Sequence, residues 1–223
     1  MSAHRLERLG DVIEYSAAGT APTRGSACSV TENLRWPNPR ATRMDHVTQL
    51  QTAHTADLDT TTLTAIRTLM TVAFDGDFSD DDWEHALGGM HALVRDGHDV
   101  IAHGAVGQRR VLVDGRPLRA GYVEAVAVHP GNRRQGHGGT VMTALERIIR
   151  GAYDLGMLGA SDEGALMYKS RGWQLWTGPL SVLTPDGLAR TEDNDGEVYA
   201  LPVAVSLDLS GPVACDWRHG DVW

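Results

Sequence analysis

One stretch, Val128-His129-Pro130-Gly131-Asn132-Arg133-Arg134-Gln135-Gly136-His137-Gly138-Gly139, constrains the fold more than any other. The apolar run from Tyr122 to Val128 reads as a strand entering it. The run from Thr140 to Arg150 reads as a helix leaving it, with Val141, Met142, Leu145, Ile148 and Ile149 on one face. Strand, glycine-rich loop and helix start together make a site for a phosphate-bearing ligand. Loop N–H groups converge on the anion, and the helix dipole favours negative charge there. Gly136, Gly138 and Gly139 let the backbone approach closely, and Arg133 and Arg134 can add charge-assisted hydrogen bonds. No Gly-Lys-Ser/Thr follows, so this is not a P-loop, and the absence of G-x-G-x-x-G excludes a dinucleotide fingerprint.

The rest of the chain organises around this loop. Residues 1 to 45 are rich in small and polar residues and prolines, and read as a disordered or extraneous arm. The domain spans 46–223. A weak strand signal covers His46 to Ala53. Asp59 or Thr60 caps a helix carrying Leu63, Ile66, Leu69, Met70 and Phe74 at helical spacing. Ser79 and Asp82 sit at capping-box spacing for a short second helix. Strand runs broken by Asp96-Gly97 and Asp114-Gly115 signal antiparallel hairpins leading into the 122–128 strand. A short apolar run at 155–160, a helix at 164–170, and strands at 173–176, 181–183 and 197–205 complete the order. This is an α+β domain, three-layered α/β/α, with a mixed, mostly antiparallel sheet.

The loop resembles the coenzyme A diphosphate loop of the GNAT N-acetyltransferases, whose pattern here reads Val128-x-Pro130 and then Arg133-x-x-Gly136-x-Gly138. A second family motif is matched by Ala165-Leu-Met-Tyr168-Lys-Ser-Arg-Gly172-Trp173. Further strings narrow the resemblance. Gly76-Asp77-Phe78, Asp82-Trp83-Glu84-His85, Gly121-Tyr122-Val123-Glu124 and the closing Asp216-Trp217-Arg218-x-Gly220-Asp221-Val222-Trp223 are similar to the aminoglycoside 2′-N-acetyltransferases of mycobacteria, over residues 46 to 223.

The resemblance implies a GNAT fold and direct acetyl transfer from acetyl-CoA to a polycationic amino sugar. It implies Glu124 as general base and Tyr168 as the acid beside the sulfur. Main-chain groups of Val126, Ala127 and Val128 would receive the pantetheine arm, and Arg133, Arg134, Gln135, Gly136, His137 and Gly138 the diphosphate. Glu124 and Ala125 would line the acceptor, with Asp77, Asp82, Asp193, Asp221 and the Trp223 carboxylate as ammonium or hydroxyl partners. The family tends to have Asp and Ser where this chain has Asn194 and Gly159. A homodimer is the family's habit. An acetyltransferase for a cell-wall amino sugar, or a non-catalytic module binding cationic drugs or coenzyme A, are the alternatives.

Composition agrees. The net charge is −9, and the first 45 residues are close to neutral, so the acidity lies in the body. That argues against nucleic acid and anionic membranes and leaves room for a cationic substrate. Cys28 and Cys215 are too few and too far apart for a disulfide framework, and the charged N-terminus has no signal-peptide core, which fits a cytoplasmic enzyme. Ten histidines are scattered without zinc spacing, so no metal is expected and surface or hairpin positions are expected for the rings.

Overall fold

The computed structural model describes residues 48–223. The arm expected over residues 1–45 lies outside that range. The described elements run in the order β1 (Gln49–His54), α1 (Thr60–Ala73), α2 (Asp80–Ala86), β2 (Met90–Asp96), β3 (Asp99–Val113), β4 (Arg116–Val128), α3 (His137–Ala152), β5 (Leu155–Gly159), α4 (Asp162–Ser170), β6 (Gln174–Leu175), β7 (Leu180–Thr184), β8 (Gly187–Arg190), β9 (Val198–Pro202) and β10 (Val213–Asp216).

Local chemistry sets the helix starts. Asp59 accepts the Thr62 N–H at 2.7 Å, and Ser79 and Asp82 form a reciprocal capping box at α2. The two Asp-Gly turns close the hairpins β2–β3 and β3–β4, which are antiparallel throughout. Along β2 the side chains alternate between two cores. Ala92 and Val94 join α3 (Val141, Met142, Leu145, Ile149), whereas Leu93 meets α1 (Ile66, Leu69, Met70) on the opposite face. Helices on both faces give the three expected layers. A third core, containing Val111, Leu118, Tyr122, Met157, Trp176, Val198, Cys215 and Trp223, lies under the later strands.

The sheet order is β6-β9-β5-β4-β3-β10-β7-β8, with β2 and β1 added along the first half of β3. Strands β8 and β10 are absent from the sequence reading. β10 is a four-residue segment that pairs antiparallel to β3 and parallel to β7, partners distant in sequence, so nothing local announces it. α3 begins three residues earlier than its apolar periodicity, because its first turn belongs to the glycine loop. Small residues let α3 and Trp173 sit close to the sheet. A Cβ on Gly121 would meet the Tyr153 ring at 2.6 Å, and one on Gly156 would meet Trp173 at 2.9 Å.

α4 is tied to α3 through a buried carboxylate. Glu146 accepts from Arg171 Nε at 2.7 Å and Nη2 at 2.9 Å, and from Trp173 Nε1 at 3.0 Å. Glu146→Ala would leave a guanidinium and an indole N–H without their partner. The expected cost is about 3–5 kcal/mol, read as a fall of roughly 10 °C in Tm by calorimetry. An unchanged Tm would show that the pair adds nothing to the anchoring of α4.

Candidate active site

β4 and β5 run parallel but pair only at Ala120↔Leu155, Gly121↔Gly156 and Tyr122↔Met157. Beyond Tyr122, β4 keeps its ladder to β3, while β5 continues to Gly159 paired with β9. Among the described residues, one side of residues 123–128 therefore has no strand neighbour. Its main-chain groups can receive an extended, amide-bearing ligand. β4 also bulges at this point. Ala105 pairs with Glu124 and His103 with Ala127, so Ala125 and Val126 together face Gly104. Ala125 takes φ +51°, a left-handed conformation that costs a residue with a Cβ roughly 1–2 kcal/mol. The sheet holds this strain beside the carboxylate of Glu124, a pattern associated with function.

After β4, a 3-10 turn (Pro130–Asn132) leads into the loop. Arg134 (φ +59°) and Gly136 (φ +87°) both adopt left-handed conformations that turn the chain into α3. Gly136 is the N-cap of α3 and has no side chain to satisfy the first-turn N–H groups. An uncapped helix start beside an open strand edge fits the diphosphate and pantetheine arm of coenzyme A. Arg133 behaves differently from the sequence expectation. Its guanidinium donates to Val128 O at 3.4 Å and to Ala73 O at 3.0 Å, tying the loop to the end of α1. Gln135 donates to Gly131 O at 3.4 Å, which braces the same loop.

Glu124 projects from the bulge and is paired with Arg218, whose Nη1 donates to Glu124 Oε1. Both side chains are only about one-sixth exposed, at 16% and 15%. Burial pushes the Glu124 carboxyl above the usual carboxylate range, and the Arg218 charge pulls it back down. Arg218 sits on the closing segment, residues 217–223, which folds back over the third core. Arg109 of β3 anchors that segment through Asp216 Oδ1 (2.8 Å), Asp216 O (2.6 Å) and Val222 O (2.7 Å). Arg218 Nε donates to Asp221 O at 2.8 Å. The two guanidinium carbons lie 4.8 and 5.3 Å from the Tyr122 ring centroid. The Tyr122 hydroxyl is buried without a hydrogen-bond partner, next to the space above Gly159. Sequence reading missed both arginines. The only signal for either was an Arg standing among the acids of the closing motif.

The same segment gathers several expected acceptor residues. Trp223 is buried in the third core, and its Nε1 donates to Thr191 Oγ1 at 2.9 Å, beside the 3-10 turn Glu192–Asn194 that carries Asp193 and Asn194. A Cβ on Gly159 would lie 3.3 Å from Trp223 O. The Asp221 charge reaches Glu124, raising its carboxyl further. On the α2 side, His85 in the last turn donates its Nε2 hydrogen to His219 O at 2.9 Å, and a Cβ on Gly220 would lie 2.7 Å from Asp81 Cβ in the first turn. Asp82 lies in that turn, engaged through Oδ2 with the Ser79 N–H and hydroxyl, both at 2.9 Å. Asp77 is exposed in the α1–α2 connection, where no contact links it to this group.

Tyr168 of α4 lies on the α3 side, 7% exposed, edge-on to Trp173 with centroids 6.2 Å apart. Burial pushes its hydroxyl up to about 12, so it keeps its proton through the neutral range. His91 and His103 fall on the β2–β3 hairpin, one of the two positions expected for the rings, where they are fully buried and bonded to one another. Among the described residues, no cluster of three or more His, Cys, Asp or Glu side chains could hold a metal ion. No helix among them is long and apolar enough to cross a membrane.

A parted β4/β5 pair, a bulged strand carrying a carboxylate, and an uncapped glycine-loop helix define an acetyltransferase of the GNAT type. The GNAT acetyltransferase domain matches residues 55–176, and the chain belongs to that family. It is 52% identical over 174 residues to the aminoglycoside 2′-N-acetyltransferase of Mycolicibacterium fortuitum, a match covering 76% of this chain and 89% of that one. A Brucella melitensis GNAT acetyltransferase in complex with acetyl-CoA has the same fold at 15% identity and a TM-score of 0.53, over 78% of this chain and 97% of that one. Eis1 of Mycobacterium abscessus matches at 18% identity and a TM-score of 0.50 over 60% of this chain, which spans about a third (33%) of that protein.

Proposed function

We propose that this acetyltransferase carries the acetyl group of acetyl-CoA to the 2′-amino group of aminoglycosides of the gentamicin, tobramycin and kanamycin B type, in a direct ternary-complex reaction that confers resistance. The observation that carries the reading is the buried Glu124–Arg218 pair at the open edge of β4, beside the carboxylates of the closing segment. The 52% identity to the M. fortuitum enzyme supports the choice of acceptor.

Bound acetyl-CoA supplies an activated acetyl thioester. The chain's residues do the rest. Main-chain groups of Arg133, Arg134, Gln135, Gly136, His137 and Gly138 bind the diphosphate at the α3 dipole. Val126, Ala127 and Val128 hold the pantetheine arm as a strand would hold its neighbour. Asp77, Asp82, Asp193, Asp221 and the Trp223 carboxylate hold the acceptor's ammonium and hydroxyl groups, with Ala125 lining the reacting amine. Asn194 and Gly159, in place of a carboxylate and a hydroxyl, bear on ring preference. Glu124 takes the proton from the amine, directly or through water. The C–N bond forms as the C–S bond breaks, and Tyr168 gives its proton to the departing sulfur.

The reading includes a homodimeric cytoplasmic enzyme without nucleic-acid or membrane partners. The net charge of −9 supports the exclusion of polyanions, and light scattering on purified protein checks the dimer. The deciding experiment is incubation with acetyl-CoA and a 2′-amino drug, followed by thiol release and mass spectrometry. One added acetyl group on the ring bearing the 2′-amine is expected. No thiol release with any 2′-amino drug would reject the reading. Tyr168→Phe should lower kcat about tenfold to a hundredfold at little change in KM for acetyl-CoA, and unchanged kcat would remove Tyr168 from the mechanism.

A further inference from the structure

A buried chain of side chains runs from the end of β1 to the bulge in β4. Thr55 Oγ1 lies 2.7 Å from His91 Nε2, His91 Nδ1 lies 2.9 Å from His103 Nε2, and His103 Nδ1 lies 2.9 Å from Ala125 O. Its protons can be placed from one fixed end. A carbonyl only accepts, so His103 Nδ1 carries hydrogen and donates to Ala125 O. A neutral ring has one hydrogen, so His103 Nε2 is an acceptor and His91 Nδ1 must donate to it. His91 Nε2 is then bare and takes the single Thr55 hydroxyl hydrogen at 2.7 Å, in place of the more distant Gly89 O at 3.2 Å, which already accepts the Thr55 N–H at 3.0 Å. Thr55 Oγ1 in turn accepts the Gly88 N–H at 2.9 Å. Every member is satisfied by this single arrangement, with both rings neutral. Burial agrees, holding His91 down to about 4 and His103 to about 3.

The acceptor at the end of the chain is the carbonyl of the left-handed residue that forms the bulge. Its peptide is trans, so the Val126 N–H points opposite to the Ala125 C=O. We propose that His91 and His103 are positioning residues for the acetyl transfer. By gripping the Ala125 carbonyl from the β3 side they hold the bulge, fix the direction in which Glu124 leaves β4, and turn the Val126 N–H away from β3, toward the unpaired side of the strand where a developing oxyanion needs a donor. Neither ring touches the reactants. The inference rests on the acetyl-transfer function proposed above.

Two readouts test it. Nitrogen NMR of the histidine rings in the wild-type protein should find hydrogen on Nδ1 and none on Nε2 in both His91 and His103, and finding it on Nε2 of either ring overturns the proposal. This result needs no activity, so it stands apart from the functional reading, which fails separately if the wild type transfers no acetyl group. In kinetics, His103→Leu removes the donor at similar bulk and should lower kcat about tenfold to a hundredfold while KM for acetyl-CoA moves far less. His103→Asn returns an N–H donor and should recover most of that loss. A folded His103→Leu variant with wild-type kcat, or a folded Asn variant no better than Leu, overturns the proposal. If the Leu variant does not fold, the Asn variant and the ring tautomers decide.

Discussion

Glu124→Gln is expected to lower kcat by about two to four orders of magnitude while acetyl-CoA and the aminoglycoside still bind. The substitution keeps the shape of the side chain and an oxygen that can accept from Arg218. It removes the one function an amide cannot supply, acceptance of a proton from the amine. Burial holds the Glu124 carboxyl above the ordinary range, which makes it a better base than a solvent-exposed glutamate, while Arg218 keeps enough of it ionised to act. Steady-state kinetics and calorimetry on the same preparation separate the effects. A large fall in kcat with near-native affinities is the predicted pair of results. Retained kcat would assign the base elsewhere, and lost binding with intact kcat would make Glu124 a substrate anchor.

Arg218→Ala has the second largest expected effect, with a direction that depends on pH. Without the guanidinium, burial alone acts on Glu124, and its carboxyl rises further. The acid limb of the kcat/KM profile should then move to higher pH, with activity at pH 6 lower on the order of a hundredfold and a smaller loss at pH 8.5. Stability follows with the matching sign. A carboxyl raised in the folded state favours folding while protonated, and that contribution is lost as pH rises through the folded-state value. The variant's deficit relative to wild type should therefore be larger at pH 8, at about 3–5 kcal/mol, than at pH 5. Equal deficits at both pH values, with an unmoved acid limb, would show that Arg218 serves only to anchor residues 217–223.

Much of this was legible in the sequence, where chemistry is local. Asp-Gly turns placed the hairpins, Asp59 and the Ser79–Asp82 box placed two helix starts, and the glycine loop placed the passage from β4 into α3. Glu124 stood out because an acid inside an apolar strand run needs a reason. What could not be read depends on residues far apart meeting. Arg218 reaches Glu124 across 94 positions, and Arg109 reaches Val222 across 113. β10 exists only because β3 and β7 leave a place between them. The bulge at Ala125 is a matter of register, which no periodicity of β4 alone reveals. The histidines show the same limit. Their spacing matched no zinc pattern, and it carried no information about two rings meeting from adjacent strands. Arg133 is the opposite case, a charge in the expected motif that the fold directs to the carbonyl ends of β4 and α1.

The three residue pairs that join β4 to β5 also bear on how the molecule melts. A lobe made of β6, β9 and β5 meets the remainder of the sheet through those few rungs, through helix packing and through the third core. Acetyl-CoA held in the gap, as proposed above, would add a link beside those rungs. Loading the coenzyme then works as a last, reversible step of folding. The melting temperature should climb with the logarithm of its concentration once that exceeds Kd, as linkage requires.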